Sequence, residues 1–274
     1  MKAAQAGGYA IGAFNAENME MAQAVIEAAQ AAKAPVILQT TPGTLKYAGP
    51  GVFAAMVGAL AGQASVPVAL HLDHGSSFEL AKEALGAGYT SVMIDGSALP
   101  LEDNILLTRR VVDAAAPLRI PVEAELGKVG GKEDDLSADK DTNTDPKEAV
   151  RFVRETGIDA LAVAIGTAHG FYVGTPVLDK ARLGVIRGLV PIPLVLHGAS
   201  GLSDADVRDC IALGISKVNF ATELRAAFTD GVKQALAEAP NLYDPKKMGV
   251  RARDNVRRLV TEKIRMCGAD GKAS

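Results

Sequence analysis

Three of the four histidines lie in short stretches that also contain glycine: His74 in HLDHG, His169 in GTAHG and His197 in LHGASG. A single histidine most often packs in a core or lies on the surface. Three imidazoles brought together by the fold instead match a catalytic zinc site, which has three protein ligands and one open position. The two cysteines, Cys210 and Cys267, form no CxxC pair, so the pattern favours an open histidine site over a thiolate site.

Acidic residues stand close to these histidines in the sequence. Asp73 directly precedes His74, where its carboxylate can exchange a proton with a substrate oxygen held near the metal; the alternatives are a helix cap or a partner for a histidine. Glu125 in VEAELG and Asp95 in MIDGS are candidate alternate metal ligands, or groups that orient a ligand. Strand alternation puts His71 on the same side as Asp73, which indicates a packing or supporting residue and not a fourth ligand.

The elements that must position these residues alternate between apolar strand-like runs and alanine-rich helical segments, as repeated βα units do. Eight strands are predicted, at residues 9–14, 36–40, 68–72, 91–94, 121–125, 160–165, 194–196 and 217–220. Eight parallel strands close a barrel without leaving an exposed edge. We therefore predict an α/β fold, with residues 1–274 forming a single (β/α)₈ TIM barrel.

A polar residue follows each predicted strand, at the barrel face where such enzymes carry their active sites. Taken singly, each could cap a helix or face water. Their convergence on one face predicts a functional site, in which Asn15 and Thr41 are candidate substrate contacts. The set is Asn15, Thr41, Asp73 with His74, Asp95, Glu125, His169, His197 and Asn219.

Small residues follow the seventh and eighth strands. The first group is Gly198, Ala199, Ser200 and Gly201, and the second, Asn219, Phe220, Ala221 and Thr222, leads directly into a predicted helix. Small side chains let the backbone approach an anion, and a helix N-terminus offers N–H donors and a favourable dipole. Because barrels often bind phosphate at these two loops, we predict a phosphate site there.

Two segments interrupt the repeat. Residues 127–145, GKVGGKEDDLSADKDTNTD, are too long for an ordinary βα loop, which predicts either a disordered excursion or a mobile active-site loop. Residues 241–274 predict a basic C-terminal helical segment beyond the barrel. Most of its charges are expected to face solvent, with one or two arginines able to reach a phosphate or a neighbouring subunit.

Overall charge argues against macromolecular anions as partners. With 29 basic and 32 acidic residues the net charge is −3, which favours neither nucleic acid nor an anionic membrane. No run approaches 18 apolar residues, and the N-terminal residues lack a secretory apolar core. We expect small-molecule partners and a cytoplasmic location.

The motifs HLDHG, MIDGS, AELGKVGGKEDD, AVAIGTAHGFY, LVLHGASGL and KVNFATEL resemble those of the class II fructose- and tagatose-bisphosphate aldolases, in the same order and from about residue 8 to residue 268. The short chain is more similar to the tagatose-bisphosphate branch. The resemblance implies a lyase that acts in carbohydrate metabolism, in glycolysis. Such an enzyme reversibly cleaves a ketose 1,6-bisphosphate to dihydroxyacetone phosphate and glyceraldehyde 3-phosphate. It also implies bound Zn²⁺, a monovalent cation (Na⁺ or K⁺) and a homodimer or homotetramer.

Carried onto this sequence, the resemblance makes His74, His169 and His197 the zinc ligands and Asp73 the acid and base at the aldehyde oxygen. Glu133 in the 127–145 loop matches the residue for proton exchange at the nucleophilic carbon, and Thr41 matches a hydroxyl at the developing oxyanion. The residues implied in dihydroxyacetone phosphate binding, some also at the cation site, are Gly170, Gly198, Ala199, Ser200, Asn219, Phe220, Ala221 and Thr222.

The distal phosphate is expected to contact a C-terminal arginine, for which Arg257, Arg258 and Arg265 are candidates. The sequence departs from the tagatose-type pattern in having Gly75 where a second histidine is common, and in Lys132 before Glu133. Both departures concern specificity for the aldehyde.

Three alternatives stay open at the level of sequence. A Schiff-base aldolase would need a lysine desolvated inside the barrel, whereas the lysines lie mostly in polar loops and helices, with Lys217 at a strand start and at the wrong end. A non-catalytic barrel could bind sugar phosphates as an accessory subunit. A class II aldolase could also act on another phosphorylated keto sugar or sugar acid.

Overall fold

The computed structural model describes residues 1–133, 136–138, 143–172 and 174–273, with the backbone alone at 132, 133 and 136–138. Eight parallel strands form a closed barrel. This confirms the predicted (β/α)₈ TIM barrel. The barrel strands are β1 Ile11–Asn15, β2 Val36–Thr40, β3 Val68–Gly75, β4 Ser91–Ile94, β5 Val122–Leu126, β8 Ala160–Val163, β10 Leu194–Leu196 and β11 Ile215–Phe220. Around the barrel they follow the order β1-β11-β10-β8-β5-β4-β3-β2.

Helices surround the barrel and connect its strands. Side-chain caps define several of their starts: Asn18, Ser77 and Ser203 each accept a hydrogen bond from a first-turn amide. The helices are α1 Lys2–Gly7, α2 Met19–Ala32, α3 Pro42–Ala48, α4 Pro50–Ala61, α5 Phe78–Ala87, α6 Leu101–Ala115, α7 Pro146–Thr156, α8 Lys180–Leu189, α9 Asp204–Ala212, α10 Thr222–Glu238 and α11 Pro245–Met266. In the described part of the chain no helix has both the length and the apolar character to cross a membrane.

Strand alternation separates an apolar outer layer from a mixed interior. Leu70 and Leu72 of β3 belong to the large core between strands and helices. The interior instead contains small apolar groups in separate clusters, including Ala13 from β1 and Ala162 from β8. These small side chains leave space inside the barrel for long polar ones, which is consistent with the low aromatic content of 4%.

A small second sheet lies over the barrel mouth. It consists of β6 Gly130–Glu133, β7 Leu136–Ala138 and β9 Ala168–His169, in the order β7-β6-β9. β6 pairs antiparallel with β7 and parallel with β9, which carries His169. The described part of the 127–145 segment is therefore held by strand pairing at the site, while its motion stays a prediction.

The C-terminal helix α11 packs along α10 and α2 on the outside of the barrel. Asp244 caps its start by accepting a hydrogen bond from the Lys246 amide. Arg253 contacts α2 through Gln23, at 3.0 Å. Lys263 reaches Glu223 at the start of α10, with Nζ 2.7 Å from Oε2, so the helix also contacts the element that follows the eighth barrel strand.

Candidate metal centre and active site

The third barrel strand carries two neighbouring polar residues, Asp73 and His74, that both reach the site. In a regular strand their side chains would point to opposite faces. Here the pairing of β3 with β4 shifts register between Leu72 and Gly75, which marks a β-bulge. His74 takes a left-handed backbone conformation with φ 47°, and its side chain is buried near the two other candidate ligands.

The three predicted histidine ligands lie together at the barrel mouth. The ring centroid of His74 is 4.9 Å from that of His169 and 4.6 Å from that of His197, and the last two rings are 6.2 Å apart. One potential ligand atom from each residue lies within 4.8 Å of the others. This spacing and donor set fit a divalent metal that prefers imidazole nitrogen, as zinc does.

Carboxylates complete this cluster. His74 Nδ1 donates a hydrogen bond to Asp95 Oδ2 at 2.7 Å, which leaves its Nε2 as the nitrogen for a metal. Glu125 Oε2 lies 3.2 Å from His197 Nδ1. His74, Asp95 and Glu125 also form a second group of potential metal ligands with ligand atoms within 4.8 Å of one another. The two sequence candidates for alternate ligands are thus adjacent to the histidines.

Asp73 lies at the bottom of the site, fully buried and held by three side-chain amides. Asn15 and Gln39 donate to its Oδ2 at 2.9 and 3.1 Å, and Asn219 donates to its Oδ1 at 3.0 Å. Burial opposes ionisation, but the positive charges of His74, His197 and other neighbours outweigh it and lower the pKa of Asp73. The carboxylate form is therefore favoured at neutral pH.

The histidines differ in their affinity for protons when no metal is bound. Burial disfavours the charged form of each, but the Asp73 charge and the Asp95 hydrogen bond raise the pKa of His74 well above its ordinary value. Hydrogen bonds to Glu123 and Glu125 likewise raise the pKa of His197 to about 9. Burial and the two neighbouring imidazoles lower the pKa of His169. Metal binding must therefore displace protons from His74 and His197.

Two cavities surround the histidines. One of about 320 Å³ is lined on one side by His74, Asp95, Glu125 and His169, and extends to Ser97 and Val129 among others. A much smaller one, about 10 Å³, is lined by residues that the sequence predicted for dihydroxyacetone phosphate: Gly170, Gly198, Ser200, Asn219, Ala221 and Thr222, together with His169. The predicted phosphate contacts therefore converge beside the histidine cluster.

Other predicted site residues have different surroundings. The Thr41 hydroxyl is buried and caps α3 by accepting from the Thr44 amide. The Phe220 side chain stacks on Phe14 outside the barrel, with centroids 5.5 Å apart, and Phe220 does not line the small cavity. Ala199 is buried in the outer core. The side chain of Glu133, like that of Lys132, lies outside the described residues, although its backbone ends β6.

The candidate arginines for the distal phosphate lie on α11. Arg257 donates to Asp254 at 3.0 Å, and Arg258 donates to Asn255, so both contact their own helix. Arg265 is exposed. The assignment among the three remains a prediction.

Sequence reasoning missed two residues in the strand interiors, Gln39 and Glu123. Gln39 contacts both Asp73 and Asn15, and Glu123 bridges His197 and Lys217. Lys217, expected at the wrong end for catalysis, has its side chain fully buried inside the barrel. Alternation was the available signal for Glu123 and Lys217, which lie two residues before Glu125 and Asn219, since residues two apart share a strand face.

Gly75 has a steric reason that the sequence did not reveal. A Cβ at this position would lie 2.3 Å from the backbone oxygen of Met93 on the neighbouring strand. The bulge therefore requires glycine here, and any larger residue, histidine included, would not fit this backbone. Gly131 plays a similar part in the second sheet, where φ is 86° and a Cβ would lie 2.2 Å from the His169 oxygen.

The molecule is therefore an α/β-barrel protein. It has a histidine-rich potential metal site at one mouth of its closed parallel barrel. A family model described as fructose-bisphosphate aldolase class-II matches residues 1–272. The chain therefore belongs to the class II fructose-bisphosphate aldolase family, and it is an aldolase, an enzyme that cleaves and forms carbon–carbon bonds. This confirms at family level the resemblance seen in the motifs.

Individual relatives agree with this assignment. A fructose-bisphosphate aldolase from Geobacillus stearothermophilus is 46% identical over 273 residues, covering 98% of this chain and 94% of the relative. The crystal structure of the YdjI aldolase from Escherichia coli K12 matches with a TM-score of 0.88 and 41% identity, covering 100% of this chain and 96% of that one. The crystal structure of a putative fructose-1,6-bisphosphate aldolase from Coccidioides immitis matches with a TM-score of 0.91 and 31% identity. The match covers 99% of this chain and 96% of that one.

Proposed function

We propose that this protein is a zinc-dependent class II aldolase that reversibly cleaves a ketose 1,6-bisphosphate to dihydroxyacetone phosphate and glyceraldehyde 3-phosphate. The observation that carries the proposal is the cluster of His74, His169 and His197, with ring centroids 4.6 to 6.2 Å apart. Buried Asp73 lies directly beside it. Fructose 1,6-bisphosphate is the first substrate to test, because the Geobacillus relative is named for it; tagatose 1,6-bisphosphate is the second.

The residues fit zinc. Three imidazole nitrogens and two adjacent carboxylates are ligands that zinc accepts. Both cysteines are buried elsewhere, so no thiolate competes with these ligands for the metal. Bound Zn²⁺ would supply a Lewis acid that polarises a ketone and stabilises the negative charge developing beside it. His74, His169 and His197 would hold it, while Asp95 and Glu125 orient the ligands and offer alternate contacts.

Asp73 is the proposed acid and base at the substrate hydroxyl. In the cleavage direction its carboxylate removes the hydroxyl proton beside the bond that breaks, and in condensation it returns that proton to the new hydroxyl. Amide donors from Asn15, Gln39 and Asn219 support this role, because they fix the carboxylate and favour its ionised form.

The small cavity lined by Gly198, Ser200 and Thr222 is the proposed phosphate pocket. Backbone amides at the start of α10 and small side chains in the seventh loop would hold the phosphate of dihydroxyacetone phosphate, with a Na⁺ or K⁺ ion nearby. We further propose that Glu133 exchanges the proton at the nucleophilic carbon, and that motion of the 127–145 segment excludes water during this step.

The decisive experiment measures cleavage of both bisphosphates by metal-stripped protein, before and after zinc is added. We expect activity to disappear with the metal and to return with zinc, and His74→Ala to abolish zinc binding and turnover together. Full activity in metal-stripped His74→Ala would overturn the proposal. Absence of cleavage of either bisphosphate by the zinc-loaded protein would instead favour another phosphorylated keto sugar, or an accessory role.

A Schiff-base mechanism predicts a different result. Lys217 lies inside the barrel, but its Nζ donates to Glu123 at 2.8 Å and is fully buried below the site. A nucleophilic amine must instead be unprotonated and reach the carbonyl. Borohydride treatment in the presence of substrate should leave the protein unlabelled, and a covalent adduct on Lys217 would support the rival mechanism.

The proposed homodimer or homotetramer is tested by light scattering of the purified protein.

A further inference from the structure

A column of charged and polar side chains runs from the metal centre down into the barrel interior. His197 Nε2 donates a hydrogen bond to Glu123 Oε1 at 3.0 Å. The other oxygen of Glu123, Oε2, accepts from Lys217 Nζ at 2.8 Å. Lys217 is on β11 and Glu123 on β5, so the column joins two barrel strands that are separated by β10 and β8.

Burying the charged groups of this column costs free energy, so their presence needs an explanation. Lys217 and His197 are 0% exposed and Glu123 is 2% exposed. A buried ion pair contributes little net stability, and well-packed apolar residues of similar volume often serve equally well or better. The alanines at the same level of the interior, Ala160 and Ala162, show that this part of the barrel accepts apolar side chains. Stability alone therefore does not explain Lys217 and Glu123.

The contact with His197 indicates a role in preparing this histidine to bind a metal. An imidazole has two nitrogens, and a hydrogen bond to one fixes which of them is left for a metal. Because Nε2 of His197 donates to Glu123, its Nδ1 is the nitrogen left for the metal, and Nδ1 lies 3.2 Å from Glu125 Oε2 in the cluster. Lys217 in turn holds the Glu123 carboxylate in the orientation that His197 requires.

We propose that Glu123 and Lys217 are positioning residues, which fix the tautomer and ring orientation of His197 from below and make its Nδ1 a stronger metal ligand. This inference rests on the proposed metal site. Neither residue lines the two cavities beside the histidines. Lys217 neutralises the Glu123 charge, so the column can remain ionised inside the barrel without drawing protons or a second cation into it.

His71 provides a matched comparison inside the same barrel. It is 2% exposed, its Nδ1 hydrogen-bonds the Ser91 hydroxyl at 2.8 Å, and its Nε2 lies 3.7 Å from Glu123 Oε2. It is therefore a buried imidazole beside the column, one contact further from the candidate ligands. Replacing it disturbs the barrel interior without removing the acceptor of His197.

Two double variants separate the hydrogen bond from the charge. Glu123→Leu/Lys217→Met removes both the acceptor of His197 and the ion pair, whereas Glu123→Gln/Lys217→Met keeps an acceptor oxygen and removes only the charges. Zinc affinity is measured by chelator competition at constant pH, and the ligand geometry by the visible spectrum of the Co²⁺-loaded protein. Thermal unfolding of the metal-free proteins reports structural damage separately.

We expect zinc affinity to fall about 10- to 100-fold in the leucine variant and about 3- to 10-fold in the glutamine variant, with an altered Co²⁺ spectrum in the former. The metal-free melting temperatures should stay near or above that of the wild type. His71→Asn should keep wild-type zinc affinity and an unchanged Co²⁺ spectrum. If the leucine variant does not fold, the zinc affinity of the glutamine variant alone tests the inference. A loss of about 3- to 10-fold supports it, and wild-type affinity overturns it.

Wild-type zinc affinity and an unchanged Co²⁺ spectrum in the folded variants would overturn the inference, and so would equal losses of affinity in His71→Asn. These results differ from a failure of the proposed function. In that case wild-type protein would itself bind zinc no better than His74→Ala does.

Discussion

At the scale of single residues, the bulge at His74 is the feature that assembles the site. Its left-handed φ of 47° costs a non-glycine residue roughly 1 kcal/mol or more. That strain lets Asp73 and His74, adjacent in sequence, reach the site together. Strain of this kind persists where the surrounding structure enforces it, and here the residue after His74 is held to β4, since the Gly75 oxygen accepts a hydrogen bond from the Asp95 amide at 2.9 Å.

The role of Asp73 is tested by Asp73→Asn, which keeps the size of the side chain but cannot exchange a proton. We expect the cleavage rate to fall by about 10²- to 10⁴-fold, because general acid–base catalysis contributes that much. Zinc content should stay at the wild-type level, since the substitution leaves the three histidines in place. Steady-state kinetics and metal analysis measure the two quantities.

Asp159→Asn is the control for this variant. The Asp159 carboxylate accepts a hydrogen bond from the Val122 amide at 3.0 Å, at the opposite end of the barrel. Its cleavage rate should stay within about twofold of the wild-type rate. A wild-type rate in Asp73→Asn would contradict the assigned role.

His71 makes stability depend on pH. Burial and the charge of Lys217 lower its pKa from the ordinary 6.5 to about 3. The unfolded chain therefore binds one more proton between these values, and the folded state loses stability as pH falls from about 6.5 towards 3. His71→Asn removes this contribution, so its free energy of unfolding should fall less steeply than that of wild type.

Urea unfolding of metal-free protein between pH 6.5 and 4 measures the two slopes. Metal-free protein is required because protonation of the ligand histidines would otherwise release metal in the same range. Parallel slopes for wild type and His71→Asn would show that His71 is not held neutral by the fold.

At the scale of elements, the C-terminal helix supports the proposed phosphate pocket. Lys263 on α11 contacts Glu223 Oε2 at 2.7 Å, and Glu223 Oε1 accepts from the Gly201 amide at 3.0 Å. The helix beyond the barrel is thereby connected to the seventh loop. Lys263 also balances a carboxylate that would otherwise repel a phosphate.

Lys263→Met should therefore weaken substrate binding more than it slows turnover. We expect KM to rise about 3- to 10-fold, as one uncompensated charge near a phosphate costs on the order of 1 kcal/mol in a partly solvated site, and kcat to change less than twofold. Arg251→Met is the control, because Arg251 on the same helix pairs with Glu238 away from the pocket at 3.0 Å. Equal KM values for both variants would contradict this connection.

The second sheet shows how an insertion can be attached to a barrel. β6 hydrogen-bonds to β9 directly at His169, and Gly131 permits the close approach of the two backbones. Beyond the sheet, Thr144 returns the chain to the barrel, since its amide donates to the Ala164 oxygen at 2.9 Å. Movement of this segment would therefore be transmitted to a candidate metal ligand.

At the scale of the whole molecule, metal binding and folding are coupled. The ligand histidines come from β3, β9 and the loop after β10, so an ion held by all three stabilises the closed barrel against unfolding. At a free zinc concentration 1,000 times its dissociation constant, the stabilisation is about 4 kcal/mol. For a chain of this size we expect the melting temperature to rise by about 10 °C.

Calorimetry with and without zinc measures this shift. His197→Ala should show little rise in melting temperature, because the ion then lacks one of its three nitrogen ligands. An equal rise in wild type and His197→Ala would place the stabilising metal elsewhere in the molecule.

Much of this organisation follows from the sequence alone. Apolar runs separated by helical segments determine a parallel barrel, because such strands must be covered on both faces. The barrel in turn predicts that His74, His169 and His197 converge, since all parallel strands end at one mouth. Strand ends were less well predicted: β3 continues to Gly75, three residues beyond the expected end.

Only the tertiary structure decided how the barrel interior is used. Asp73 and His74 both reach the site because the pairing of β3 with β4 shifts register, and no local pattern signals that shift. Lys217 meets Glu123 although 94 residues separate them, because curling the sheet into a barrel lets side chains of β11 and β5 meet across the interior with β10 and β8 between them. Local sequence sets which face of a strand a residue occupies, whereas contacts across the barrel depend on register and closure, which are properties of the whole sheet.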